Sequence, residues 1–132
     1  MKIIEISFTC YPVTDLKRAC KFYSEVLGLK ESRRWGDDKK AWIEYDIGPG
    51  TLAISNFSDD WKPNAGGGGA GLEMDNFDTA IAELKKAGTK FVWEPQDTPV
   101  CHMAIVSDPT ATRSAFINGS SKPGGLRLYS GA

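Results

Sequence analysis

Ala53-Ile54-Ser55-Asn56 and Ala115-Phe116-Ile117-Asn118 begin and end on the same residues and lie 62 positions apart. Asp46 and Asp108 stand at the same offset, as do Trp42-Ile43-Glu44-Tyr45-Asp46 and Ala104-Ile105-Val106-Ser107-Asp108. Several matches at one offset point to an internal duplication. Working outward from the first copy, residues 51–57 (TLAISNF) and 39–47 (KKAWIEYDI) read as two strands joined by the turn Gly48-Pro49-Gly50. Before them, Leu29 to Trp35 reads as another strand, closed by Gly36-Asp37-Asp38. Leu16, Ala19, Cys20, Tyr23 and Leu27 recur at helical spacing between a cap at Thr14 or Asp15 and a stop at Gly28. From Lys2 to Cys10, Ile4, Ile6, Phe8 and Cys10 alternate with polar residues, the period of a strand, and Pro12 is expected to end that ladder.

The second copy follows the same order. Leu72 to Met74 is a short strand, and Asp75 or Asn76 caps a helix carrying Phe77, Ala80, Ile81, Leu84 and Ala87, stopped by Gly88. Thr89–Glu94, Cys101–Ser107 and Ser114–Asn118 supply three further strands. The unit is β-α-β-β-β, twice, over residues 2–58 and 71–118, with a Gly-rich linker at 59–70 and a tail at 119–132. One unit alone leaves a sheet face bare. The expected architecture is therefore α+β, with two βαβββ modules forming a curved mixed sheet around a shared cavity and the helices outside.

Composition narrows the function classes. With 132 residues, 41% hydrophobic and 25% charged, the chain fits one globular domain. Sixteen basic and seventeen acidic residues leave a net charge of −1, which supplies no footprint for nucleic acid or an anionic membrane surface. No run approaches the roughly 20 apolar residues of a membrane span. Cys10, Cys20 and Cys101 form no paired spacing, which suggests free thiols and a cytoplasmic location. Gly66 to Gly69 lacks the Lys-Ser/Thr and helix start of a phosphate loop and reads as a tether.

Tyr11-Pro-Val-Thr-Asp-Leu, then Ala19, Phe22-Tyr23 and Leu27-Gly28-Leu29, with Cys101-His-Met-Ala-Ile-Val-Ser-Asp-Pro near the end, resembles the vicinal oxygen chelate superfamily. That group includes glyoxalase I, extradiol dioxygenases and bleomycin-resistance proteins. The resemblance implies four metal ligands, drawn from His, Gln and Glu, on the first and fourth strands of each unit. Here those places fall at Phe8, at Ala53 or Ser55, at Gly69 or Ala70, and at Ala115. Phe, Ala and Gly side chains offer no donor, so no metal and no other cofactor is expected. The resemblance also implies a symmetric homodimer and a small-molecule ligand.

The residues themselves leave a short set of site candidates. Phe8 and Cys10 share a strand face, as do Trp42 and Glu44, and Ala53, Ser55 and Ala115 complete the expected lining. An aromatic floor beside one carboxylate suits a planar or cationic molecule. Glu44 either orients a ligand or acts as a base, or else is a surface residue. His102 is the only histidine, and its reading stays open between a polar contact at the sheet rim, cavity lining and metal binding. Cys101 and His102 are adjacent on one strand, so they face opposite ways and cannot share a site. Trp35, Trp61 and Trp93 fall near strand ends or in the linker, where they either rim the cavity or pack over sheet ends. Three functions compete: a metal-free binding protein for a small aromatic or partly apolar molecule, a metal-dependent lyase or dioxygenase with relocated ligands, and a metal-independent enzyme using Glu44 or His102.

Overall fold

The computed structural model describes residues 1–2, 4–99, 101–109 and 113–118. The tail at 119–132 and residues 110–112 lie outside the described residues. The chain divides into two compact units, the break falling between Ala65 and Gly66. Unit 1 contains β1 (Thr9–Pro12), α1 (Leu16–Cys20), β2 (Glu31–Gly36), β3 (Ala41–Ile47) and β4 (Gly50–Ser55). Unit 2 contains β5 (Ala70–Glu73), α2 (Phe77–Lys86), β6 (Lys90–Asp97), β7 (His102–Ser107) and β8 (Arg113–Asn118). Each unit carries its own four-stranded mixed sheet, in order β1-β4-β3-β2 and β5-β8-β7-β6. The fold is α+β, built from two βαβββ modules. No helix among the described residues is long and apolar enough to cross a membrane.

The first strand differs from its sequence reading. β1 begins at Thr9, and Pro12 belongs to it, opposite Ser55. The parallel register Thr9 to Leu52 would set Ile6 opposite Pro49, inside the β3–β4 turn, so the residues before Ser7 run past the end of their partner. Ile4 and Ile6 are consequently exposed, at 81% and 84%. Pro12 fits because the next residue, Val13, donates its backbone N–H to the Ser55 carbonyl at 2.8 Å. The missing proline N–H thus falls on the open edge of an edge strand. The β5 bounds also move, to Ala70–Glu73 from the expected Leu72–Met74.

Asp15 caps α1 through its carboxylate, which accepts from the Arg18 N–H at 3.0 Å. The helix continues as a π-helical stretch over Lys21–Val26, closed by Leu27 N–H to the Phe22 carbonyl at 2.9 Å. This stretch turns Phe22 and Tyr23 into the core, both buried. α2 follows its periodicity closely: Asn76 caps it by accepting from Thr79 N–H at 3.0 Å, and Phe77, Ile81 and Leu84 are buried. Gly36 starts the β2–β3 turn at φ +105°, where a Cβ would sit 2.1 Å from the Lys40 carbonyl oxygen. Only glycine fits that turn.

The repeat is displaced by one residue in its third strand. Ala53 pairs with Glu44, whereas Ala115 pairs with Ile105, so the counterpart of Trp42-Ile43-Glu44 is Met103-Ala104-Ile105. The offset of 62 holds for β4 and β8 and falls to 61 for β3 and β7, a shift absorbed where the connections differ in length.

These placements predict opposite outcomes for two isoleucines. Ile43→Ala, in the fully buried core, is expected to cost about 2–5 kcal/mol in chemical denaturation, and Ile4→Ala to stay within about 0.5 kcal/mol. Equal losses would mean that the N-terminal alternation is buried after all.

Candidate functional site

The helix decides which way each side chain of β3 points. Ala41, Ile43 and Tyr45 are fully buried beneath it, with the Tyr45 ring 6.2 Å from Tyr23 and its hydroxyl 3.2 Å from Ser24 Oγ. Burial pushes the Tyr45 hydroxyl up to about 12, which keeps it neutral. By the period of two, Trp42 and Glu44 occupy the opposite, open face. Register then gathers the rest: Ser55 lies opposite Trp42, Ala53 opposite Glu44, and Cys10 opposite Ala53 on the other side. Phe8 joins them, its ring meeting Trp42 edge to face at 5.2 Å and 88°. All six unit 1 residues singled out as ligand lining, Phe8, Cys10, Trp42, Glu44, Ala53 and Ser55, thus share one face.

Three further residues stand on that face. Arg33 is opposite Glu44 and Trp35 opposite Trp42, and Phe57 follows β4. Arg33 and Phe57 were not singled out from sequence, although reflecting β2 across the Gly36 turn would have put Arg33 beside Glu44. Trp35, Trp42, Glu44 and Phe57 line a hollow of about 310 Å³. The Trp42 indole N–H donates to Glu44 Oε2 at 2.9 Å, so the carboxylate is held at the edge of the indole through one oxygen, leaving the second to other donors. Phe57 is pinned through its backbone N–H to Ser55 Oγ at 3.1 Å, while Ser55 donates to the Ala41 carbonyl at 3.0 Å. Asn56 ties the same corner down, accepting from Ala41 N–H at 2.9 Å and donating to the Lys39 carbonyl at 2.7 Å. The wall is held in place by its own hydrogen bonds.

Cys10 is a poor nucleophile. Burial, and secondly the neighbouring Glu44 charge, push its thiol up to about 12, so it stays protonated. A divalent metal does not fit this face either. Phe8 and Ala53 carry no donor, the Ser55 hydroxyl is spent on backbone, and a protonated thiol beside one engaged carboxylate falls short of the three or four ligands such an ion needs. Among the described residues no group of three or more His, Cys, Asp and Glu side chains is placed to hold a metal ion.

The remaining candidates lie in unit 2. Ala115 pairs with Gly71 and Ile105, in register with the place Ala53 holds in unit 1. His102 is on the helix face with Ala104 and Val106; its ring tilts over Phe77 at 5.9 Å and its Nδ1 contacts Asp97. The cleft around it, about 590 Å³, is larger than the hollow in unit 1 and includes Asp75, Asp78 and Asp97. It holds none of the other candidates. The greater volume does not make it the better site, since it gathers mainly acids around a helix start, whereas the unit 1 hollow combines rigid aromatic walls with a placed polar group. Trp93 is opposite Ile105, on the other face of that sheet.

The family model described as Glyoxalase/Bleomycin resistance protein/Dioxygenase superfamily matches residues 5–113. The chain belongs to that superfamily. A curated relative, lactoylglutathione lyase of Schizosaccharomyces pombe, is 26% identical over 138 positions, covering 83% of this chain and 45% of the lyase. The chain therefore spans less than half the length of that relative. Among solved structures, TnmS3, an antibiotic binding protein from Streptomyces sp. CB03234, superposes with a TM-score of 0.76 at 23% identity, covering 91% of this chain and 99% of that one. A glyoxalase/bleomycin resistance protein from the same Streptomyces gives 0.70 at 22%, covering 85% and 98%. The Leishmania major glyoxalase I gives 0.69 at 24%, covering 90% and 89%. At these identities the likeness is one of fold, which binders and lyases share.

The thiol makes a pH-dependent prediction. An unfolded chain ionises it at its ordinary 9.0 and the native chain at about 12, so its contribution to stability is complete below 9 and is lost as pH rises from 9 towards 12. Alkylation followed by peptide mapping is expected to leave Cys10 unmodified at pH 9, and Glu44→Gln to shift its reaction to lower pH. Rapid labelling of native Cys10 at pH 8 would contradict the assignment.

Proposed function

We propose that this member of the superfamily is a metal-free binding protein whose unit 1 face takes a small, planar aromatic molecule. The observation that carries the reading is the Trp42–Glu44 pair, an indole floor hydrogen-bonded to a carboxylate at 2.9 Å and walled by Trp35 and Phe57. A ring system stacks on the indoles and buries apolar surface, while the open Glu44 oxygen accepts from a hydroxyl or amine of the ligand. Binding needs no acid, base or metal. The missing donors at Phe8, Ala53, Gly69 and Ala70 favour it over lyase or dioxygenase chemistry, and the antibiotic-binding structural neighbour is consistent with it. The homodimer and the cytoplasmic setting expected from the sequence belong to the same proposal; the free state of Cys10, Cys20 and Cys101 supports a reducing compartment.

Isothermal titration with 2-naphthol, a planar ring carrying one hydroxyl donor, tests the reading. Saturable binding is expected, weakened roughly tenfold by Trp42→Ala, the scale of an aromatic pair worth about 1.5 kcal/mol. Glu44→Gln should weaken it less, because an amide oxygen still accepts. Binding indifferent to Trp42 would place the ligand elsewhere and overturn the proposal.

A further inference from the structure

We propose, building on the aromatic-site reading above, that the ligand of this face is an aromatic acid and that Arg33 is the residue that selects its anionic group. Two consecutive arginines on β2 have different fates. Arg34, opposite Ile43, is on the helix side, where its guanidinium grips Glu31 through two bonds of 2.6 and 3.0 Å. Arg33, opposite Glu44, is on the open side. Residues directly opposite on antiparallel strands have Cβ atoms about 4.5–5.5 Å apart on one face, so the Arg33 side chain leaves the sheet beside Glu44, two residues along β2 from Trp35.

Among the described residues no carboxylate is paired with that guanidinium. The ion pairs among the described residues join Arg34 to Glu31, Lys40 to Asp59, Lys85 to Glu94 and His102 to Asp97, and Arg33 is in none of them. Its natural partner, Glu44, is drawn instead towards the Trp42 indole. The face therefore presents an aromatic surface flanked by one carboxylate that accepts and one exposed cation that donates. A neutral ring uses the surface and Glu44 and leaves Arg33 unused. A cationic ring meets the like charge of Arg33. An aromatic ring bearing a carboxylate satisfies the guanidinium fork bidentately and keeps its acid towards the β2 edge, while a hydroxyl or amine elsewhere on the ring reaches Glu44. The substrate class is thus the aromatic acids that carry a second, hydrogen-bond-donating substituent.

The test compares 6-hydroxy-2-naphthoate with 2-naphthol, which differ only in the carboxylate, by titration calorimetry at low ionic strength, using the intact chain, Arg33→Gln and Arg33→Lys. The wild-type chain is expected to bind the naphthoate at least fivefold more tightly than the naphthol. Arg33→Gln should abolish that preference while leaving the naphthol dissociation constant within twofold, and Arg33→Lys should keep part of it as a point charge. Arg33 is exposed, so an unchanged thermal midpoint confirms that the variants fold. Equal affinities in the wild-type chain, or an equal loss of both ligands in Arg33→Gln, would overturn the role of Arg33 while the aromatic site stands. Failure of both ligands to bind the folded wild-type chain would overturn the site and this inference with it.

Discussion

The packing of Ala41, Ile43 and Tyr45 beneath α1 and its π-helical continuation is the constraint on which the rest of unit 1 depends. Tyr23 and Tyr45 lie ring against ring with no exposed surface, and a strand whose alternate residues are fixed this way has no freedom in the others. Trp42 and Glu44 must then face outward together. A slip of one residue would bury the carboxylate among apolar groups and expose Ile43, at a cost no local contact could offset. The helix thereby fixes, from the far side of the sheet, which residues form the opposite face.

The same constraint explains how polar groups on that face are partnered. Glu44 is close to the half-buried Cys10 thiol and would be costly there without a donor; the Trp42 indole provides one. Ser55, almost fully buried, spends its hydroxyl on the Ala41 carbonyl and takes the Phe57 N–H in return. The result is a surface with its own hydrogen bonds satisfied, leaving one carboxylate oxygen and one guanidinium turned outward. In unit 2 the positions of Trp42 and Glu44 are taken by Met103 and Ile105, so duplication has not preserved the polar pair.

Legibility in the sequence follows how local the physical cause is. α2 was legible because its apolar spacing, its Asn76 cap and Gly88 all lie within a dozen residues. The grouping of Trp42 with Glu44 and of Phe8 with Cys10 needed only the period of two. The end of β1 was not legible, since it is set by where β4 runs out of partner residues, a tertiary fact. Pro12 misled for the same reason: whether a proline stops a strand depends on which edge its nitrogen faces. Cys101, expected on one strand with His102, precedes β7 and is tied to Thr98 instead, and only the position of α2 reveals that His102 belongs to the helix side, against Phe77. Arg33 was within reach of the sequence, since the register from Gly36 to Arg33 is regular and counting back across that turn sets it opposite Glu44; only Glu31, beyond the irregularity, departs from that count.

The central claim is that the open face of unit 1 is a binding surface made by its indoles. Titrating the ¹⁵N-labelled chain with a planar aromatic while following the four tryptophan indole N–H resonances tests it most directly. The account predicts that the Trp35 and Trp42 signals shift together along one saturation curve, with the hydrogen-bonded Trp42 proton moving most, while Trp93 in unit 2 stays in place. Shifts confined to Trp93 or Trp61, with Trp42 unmoved at saturation, would contradict it.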